Sequence, residues 1–261
     1  MQSIDRVIWI LEMLGNSRNG LMITEIRDEL QLPISSVHRI LSSLKEHGVV
    51  TQDEITKRYK LGVKLLSIAS GLLNHLDIRE RSRDLLVELS NQLGRMVFLS
   101  VMEQDRVVCI DTISESPNSN FYVRIGALMP FSVAVSAQVL LAYQERHVIE
   151  RIVNNMEFIP YTKYSIMTRE DFLAKLQDIK EKGYGACLEE MQDGVNGYSA
   201  PVFNRDGKCI ASITILEGKT DIGVDEKIAI LKKTAKAVSM LHGCGEDKYH
   251  NDIYIGKSKS Y

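Results

Sequence analysis

Residues 23–62 read ITEIRDELQLPISSVHRILSSLKEHGVVTQDEITKRYKLG, and the apolar spacing in this stretch decides the architecture of the first part of the chain. Val37, Ile40, Leu41 and Leu44 recur at i, i+3, i+4 and i+7, the stripe of an amphipathic helix with one face in a core. The other face carries Ser35, Ser36, His38, Arg39, Ser42 and Ser43. An ordinary solvated face would be filled with Glu and Lys, which favour the helix more than Ser does. A face of short hydroxyls with one guanidinium and one imidazole is locally unfavourable, and it makes sense where the helix must lie close against another surface.

Working outward, Leu32-Pro33 ends a preceding helix, because the residue before proline avoids the α region, and Pro33 can open the next one. Ile23, Ile26 and Leu30 mark that preceding helix, with Thr24 expected as its N-cap. Ile4, Val7, Ile8, Leu11 and Leu14 mark a first helix packed on these two. Gly48 stops the Ser-rich helix. Val49-Val50-Thr51 and Arg58-Tyr59-Lys60-Leu61 then pair as strands around a polar tip. Two helices joined by a tight turn and followed by a cationic hairpin can lay one helix in the DNA major groove and rest a β-wing on the backbone. The candidate DNA contacts are Ser35, Ser36, His38 and Arg39, with Ser42 beside them and Lys57, Arg58 and Tyr59 on the wing. Arg39 is the foremost, because a guanidinium bonds guanine or phosphate in a bidentate way. His38 stands between a base contact and a backbone contact. The competing reading is a generic three-helix bundle with a surface hairpin.

Charge sets a bound on that binding. The 261-residue chain has a formal net charge of -2, unlike a strongly basic nucleic-acid coat. Its first 60 residues carry eight basic and eight acidic side chains. Affinity must therefore come from a local patch, doubled by dimerisation. The length suits two domains. Cys109, Cys187, Cys209 and Cys244 are scattered, without a C-x-x-C pair or a His at ligand spacing. They read as reduced, mostly buried thiols of a cytoplasmic protein, with no metal site. No signal peptide or membrane-length apolar run is apparent.

Beyond Gly62 the pattern VKLLSIASGLLNHL is helical, and this segment either links two domains stiffly or caps the second. A helix over Ile78–Leu93 follows. The period then switches to two: Met96–Met102 and Val107–Ile113 read as paired strands and Phe121–Ile125 as a third. Helices are expected over Ala134–Tyr143, Arg146–Asn154, Thr168–Lys182 (capped by Thr168) and Val224–His242. Strands are expected over Tyr184–Glu190, Tyr198–Phe203 and Cys209–Leu216. The fold class is α+β, with a mixed or antiparallel sheet covered by helices in the second domain.

The combination resembles the IclR family of bacterial transcriptional regulators, from about Ser3 to His242. Leu32-Pro33 followed by Ser35-Ser36-Val37-His38-Arg39 matches the family's recognition helix, and Glu46-His47-Gly48 and Arg58-Tyr59-Lys60-Leu61-Gly62 match its helix end and wing. Arg124-Ile125-Gly126, Pro130, Leu140-Leu141-Ala142, Lys182-Gly183-Tyr184, Glu189-Glu190, Asp193-Gly194-Val195 and Ala200-Pro201-Val202 match the second half. The resemblance implies a winged helix-turn-helix domain over 1–62, a helical linker over 63–77, a GAF-like effector-binding and oligomerisation domain over 78–243, and a polar tail over 244–261. It further implies a homodimer or tetramer on double-stranded operator DNA, responding to a small-molecule effector and acting in most relatives as a repressor.

Transferring the family's pocket onto this chain names Arg124, Gly126, Ser132, Ala134, Cys187, Gly197, Tyr198 and Thr214. Several are departures. Ser132-Val133-Ala134-Val135 and Ala137-Gln138 stand where the family has His-Ala-Thr-Ala and Gly-Lys. Cys187 replaces an aspartate, Gly197 a cysteine, and Thr214 and Leu216 a pair of serines. The polar anchors for a small keto-acid are thus largely lost, and a larger or aromatic effector is expected in a more apolar pocket.

Two rival functions are an enzyme and a metabolite sensor acting through protein partners. An enzyme would need a nucleophile, an acid/base set or a cofactor site. The sequence carries no G-x-S-x-G, P-loop, dinucleotide-binding glycine pattern or H-E-x-x-H, so neither an enzyme nor a cofactor is expected. Glu189 and Glu190 are adjacent on an expected strand, and read as pocket edge and solvent. A metabolite sensor acting through protein partners would expose leucines or aromatics on its helix, where this one exposes serines.

Overall fold

A computed structural model of the chain describes residues 3–75, 77–114, 122–219 and 222–245. The chain divides into two units, Met1–Leu76 and Asp77–Tyr261.

In the first unit, helices α1 (Ser3–Asn16), α2 (Ile23–Leu30) and α3 (Ile34–Glu46) are followed by the hairpin β1 (Val50–Gln52) and β2 (Tyr59–Leu61), and by α4 (Lys64–His75). Val37 and Leu41 of α3 are wholly buried, in one cluster with Ile10, Leu14, Ile26, Val50 and Tyr59. Ile40 and Leu44 pack at its margin. Gln31 turns the chain between α2 and α3 with φ 50°, and Pro33 stands just before α3, its carbonyl accepting from Ser36 and Val37. Two expectations are corrected. Thr24 lies inside the first turn of α2, while Met22 holds the cap position with its N–H donated to the Glu25 carboxylate. On α1, Ile4 and Ile8 are exposed and Ile10 is buried instead. The helix carries apolar residues on more than one face, and periodicity alone cannot say which face meets α2 and β2.

Gly62 locks this unit. A Cβ placed on it would lie 2.1 Å from the Gly48 carbonyl oxygen, so the end of α3 and the end of β2 meet only where no side chain intervenes.

The second unit opens with α5 (Asp77–Leu93) and the hairpin β3 (Met96–Glu103) and β4 (Arg106–Ile113). After α6 (Val135–Ala142), α7 (Arg146–Asn155) and α8 (Arg169–Lys182) come β5 (Gly185–Leu188), β6 (Val195–Phe203), β7 (Cys209–Gly218) and α9 (Val224–Leu241). The strands form one sheet in the order β4-β3-β7-β6-β5, antiparallel throughout. Helix α6 crosses one face and is buried at all eight positions; α5 and α9 contact the sheet as well as each other. Thr168 caps α8 as expected, accepting from Asp171 N–H at 3.2 Å, and Gly183 ends it at φ 72°.

The expected third strand is corrected. Phe121 lies outside the described residues, and Tyr122–Ile125 is not a strand. The chain instead turns at Gly126, and the next residues run along the outer edge of β4: Cys109 N–H donates to Ala127 O, and Met129 N–H to Val107 O. Strand β5 stops at Leu188 because Glu189 takes φ 60°.

Two buried carboxylates pin helices to the sheet. Asp111 of β4, 1 % exposed, is held by Arg83 at 2.7 Å and Arg79 at 3.4 Å, both from α5. Glu217 of β7 receives Arg95 at 2.9 Å and Lys227 of α9 at 2.7 Å. Replacing Asp111→Ala strands two guanidinium groups and should cost about 2 kcal/mol in urea denaturation, less than for a wholly buried pair because Arg83 is half-exposed. Gly62→Ala should lower the stability of the first unit by about 2 kcal/mol or more through overpacking, read as faster amide exchange in α3 and β2.

Candidate nucleic-acid interface and effector pocket

Since Val37 and Leu41 point into the core, the opposite side of α3 is committed to solvent. Ser35, His38, Arg39, Ser42 and Ser43 are exposed and Ser36 is half-buried. Two lines of side chains result. Ser35, His38 and Ser42 form the outer one, with His38 Nδ1 lying 3.4 Å from Ser42 Oγ. Ser36, Arg39 and Ser43 form the inner one, lining a groove of about 270 Å³ shared with Ser3, Arg6 and Val7 of α1. All five residues predicted on this helix therefore lie on one accessible surface.

The wing differs from expectation in two of its three predicted contacts. Tyr59 is 6 % exposed and belongs to the core, its backbone paired with Leu21. Arg58 turns back onto the first unit, donating to Gly20 O at 2.7 Å and Glu25 at 3.2 Å. Sequence alternation places both on the hairpin, but only packing reveals that each is spent inside the unit. Lys57 is exposed, at φ 59°, and so is Lys60. Lys45 of α3 reaches Gln52 Oε1 at 3.4 Å, joining recognition helix and wing. At the tip, hydrogen bonds from Thr56, its backbone N–H first, hold Asp53 below the usual carboxylate range.

In the second unit the eight transferred pocket positions do not converge. Arg124 and exposed Gly126 sit on the segment along β4, whereas Cys187 lies in β5 at the other edge of the sheet; four strand spacings separate these edges, about 19 Å. Ser132 and Ala134, both 5 % exposed, lead into α6. There Cys187 Sγ approaches Val133 O at 3.4 Å. Gly197 faces α6 from β6, and a Cβ there would lie 3.3 Å from Val135 Cγ1 and 3.7 Å from Leu216 Cδ2. Thr214 is on the same sheet face two residues from Leu216, its hydroxyl donating to Ser199 Oγ at 2.8 Å. Tyr198 is paired with Ile215 between Gly197 and Ser199, so strand alternation turns its side chain to the opposite face. Ser132, Ala134, Cys187, Gly197 and Thr214 thus form one region under the start of α6. Val135 and Leu216, both among the expected departures, fill part of it.

Glu190, expected at the pocket edge or in solvent, is buried and bound by Lys175 at 2.7 Å. Lys219 at 2.6 Å, chiefly, and Gly194 N–H hold Glu189 below the usual carboxylate range. Burial pushes the thiols up, Cys187 to about 11 and Cys109 and Cys209 to about 12. Among the described residues no group of three His, Cys, Asp or Glu is placed to hold a metal ion, and no helix is long and apolar enough to cross a membrane.

A winged helix-turn-helix unit with a hydroxyl- and arginine-bearing recognition helix, in one chain with an α+β unit of buried small residues, defines a DNA-binding transcriptional regulator with an effector-binding domain. The comparisons with known proteins agree. The IclR helix-turn-helix domain matches residues 3–54, and the C-terminal domain of the bacterial transcriptional regulator IclR matches residues 70–240. The chain belongs to the IclR family. It is 29 % identical over 246 residues to the HTH-type transcriptional regulator KdgR of Escherichia coli (strain K12), covering 93 % of each chain. To the regulator XynR of the same organism it is 27 % identical, covering 82 % of this chain and 85 % of that one. Among solved structures, the IclR regulator of Alicyclobacillus acidocaldarius superimposes with a TM-score of 0.79 at 24 % identity, over 92 % of this chain and 98 % of that one. An IclR homologue from Microbacterium hydrocarbonoxydans, solved with 4-hydroxybenzoate, gives 0.78 at 19 % identity over the same shares.

The wing geometry separates two kinds of cation. Lys57→Ala should leave stability unchanged and reduce the salt dependence of DNA binding by about one charge. Arg58→Ala should instead cost about 1 kcal/mol of folding stability through its lost hydrogen bonds. In the native protein at pH 8, Cys109, Cys187 and Cys209 should resist iodoacetamide, and react once urea exposes them.

Proposed function

We propose that this chain is a cytoplasmic repressor, a homodimer or dimer of dimers, that binds a palindromic operator and is released or retained according to a small metabolite. In this reading residues 1–62 bind DNA, 63–77 link, 78–243 take the effector and mediate assembly, and 244–261 are a tail. The observation that carries it is the division of α3, with Val37 and Leu41 at 0 % exposure and the Ser35–Arg39 face open. Arg39 reads a base or phosphate in the major groove, and Ser35, Ser36, His38 and Ser42 position the helix. Self-association is supported by the apolar residues the first unit leaves in water: Ile4, Ile8 and Trp9 on α1, and Leu66, Ile68 and Leu72 on α4. Two-fold symmetry then places the recognition helices about 34 Å apart, or a multiple of it.

The effector is larger or more aromatic than a two- or three-carbon keto-acid. Val135, Leu216 and a neutral Cys187 thiol occupy the space under α6, and the cation nearby, Lys175, is already paired with Glu190, so a small carboxylate would meet mostly apolar surface there. The neighbour solved with 4-hydroxybenzoate shares this fold and took an aromatic acid.

Binding-site selection with the purified chain should return an inverted repeat. On that duplex Arg39→Ala should lose about 1–3 kcal/mol of discrimination at one position if it reads a base; a uniform loss with a shallower salt slope would assign it to phosphate. In a thermal-shift screen, aromatic and larger organic acids should raise the melting temperature and pyruvate or glyoxylate should not. Stabilisation by the keto-acids alone would overturn the effector reading.

A further inference from the structure

The tip of the wing, described from sequence as polar, presents one large apolar side chain to water. Ile55 is 93 % exposed, more than any other large hydrophobic residue among those described. Exposure at a hairpin tip is ordinary for a residue on loose backbone, but this backbone is tied down. The Asp53 carboxylate accepts from Ile55 N–H at 3.0 Å and Thr56 N–H at 2.7 Å. Lys57 N–H closes the turn onto Asp53 O at 2.9 Å, and Asp53 N–H donates to Arg58 O at 2.9 Å. Gln52 Nε2 adds a bond to Lys57 O at 3.1 Å. An Asp-organised turn of this kind holds Ile55 outward without any packing partner.

The charges around it say what the tip can touch. From Asp53 to Thr56 there is no cation, and Asp53 and Glu54 are both exposed carboxylates. That segment cannot grip phosphate. The wing's accessible cations, Lys57 and Lys60, come after it. A fixed apolar point followed by two lysines matches the way minor-groove proteins work, with basic side chains on the backbone and an aliphatic wedge at a base step.

We propose that Ile55 is an apolar probe of the operator's minor groove. It seats against a deformable pyrimidine–purine step beside the half-site that α3 reads, while Lys57 and Lys60 hold the flanking phosphates. This rests on the winged unit binding DNA as proposed above, and it assigns part of operator choice to a position outside the recognition helix.

The test compares the full-length chain with Ile55→Ser and Ile55→Leu on the duplex recovered by selection with the unaltered protein. Loss of the aliphatic contact should weaken binding by Ile55→Ser about tenfold, and Ile55→Leu less than about threefold. The slope of affinity against salt should stay unchanged, since no phosphate contact is lost. Hydroxyl-radical protection of the minor groove beside the half-site should disappear in Ile55→Ser alone. The proposal fails if Ile55→Ser matches the unaltered chain in affinity and footprint, or if its loss comes with a shallower salt slope, which would mark displaced lysines. It also fails if Ile55→Ser changes the sedimenting mass while the footprint persists, which would make Ile55 a contact between proteins. Failure of the DNA-binding reading looks different: the unaltered chain itself would then give no salt-dependent complex.

Discussion

Burial of Val37 and Leu41 against Ile10, Ile26, Val50 and Tyr59 sets the rotation of α3, and the chemistry of the first unit follows from that rotation. Turning the helix by one residue, about 100°, would put serines in the core and leucines in water. Each buried aliphatic side chain contributes roughly 1.5–3 kcal/mol, so the Ser35–Arg39 face is presented by the core and needs no support of its own. The same cluster captures Tyr59 from β2, and Arg58 beside it closes onto Gly20 and Glu25. Wing and recognition helix are therefore parts of one packed body, with Gly62 and Gly48 permitting their ends to meet.

The second unit uses the same constraint differently. Helix α6 lies so close to the sheet that a Cβ on Gly185 would stand 2.8 Å from Val135 Cγ2. Close approach excludes water and leaves a region in which hydroxyls bond one another, as Thr214 does with Ser199, and in which thiols stay neutral. Such surroundings favour ligands that bring apolar area and few charges. Of the charged side chains of this unit, Asp111 and Glu217 fasten α5 and α9, and Glu190 fastens α8 through Lys175 beside Cys187.

Legibility in the sequence tracked how local each signal was. The helix-turn-helix, the capped helix α8 and the hairpin β3–β4 were readable because a stripe, a cap or a short turn specifies each within a few residues. Tyr122–Ile125 misled because alternation is equally compatible with a strand and with irregular chain leading to a sheet edge. Helix α1 misled because it offers apolar residues on more than one side. The exposed face of α3 was readable in full, since it is the complement of a stripe. The wing was not: Arg58 and Tyr59 look like contacts in a cationic hairpin, and their partners, Gly20, Glu25 and Leu21, lie more than thirty residues away.

What the sequence determined by itself was the order of the helices, the division of α3 into core and groove faces, and the replacement of polar anchors by Cys187, Gly197 and Leu216. These are properties of residues and their immediate neighbours. Tertiary structure alone decided that Arg124 and Cys187 stand at opposite edges of the sheet, and that Ile55 is held outward on a tied turn. Those depend on register, strand order and hydrogen bonds closed in space. Spacing along the chain carries no record of them.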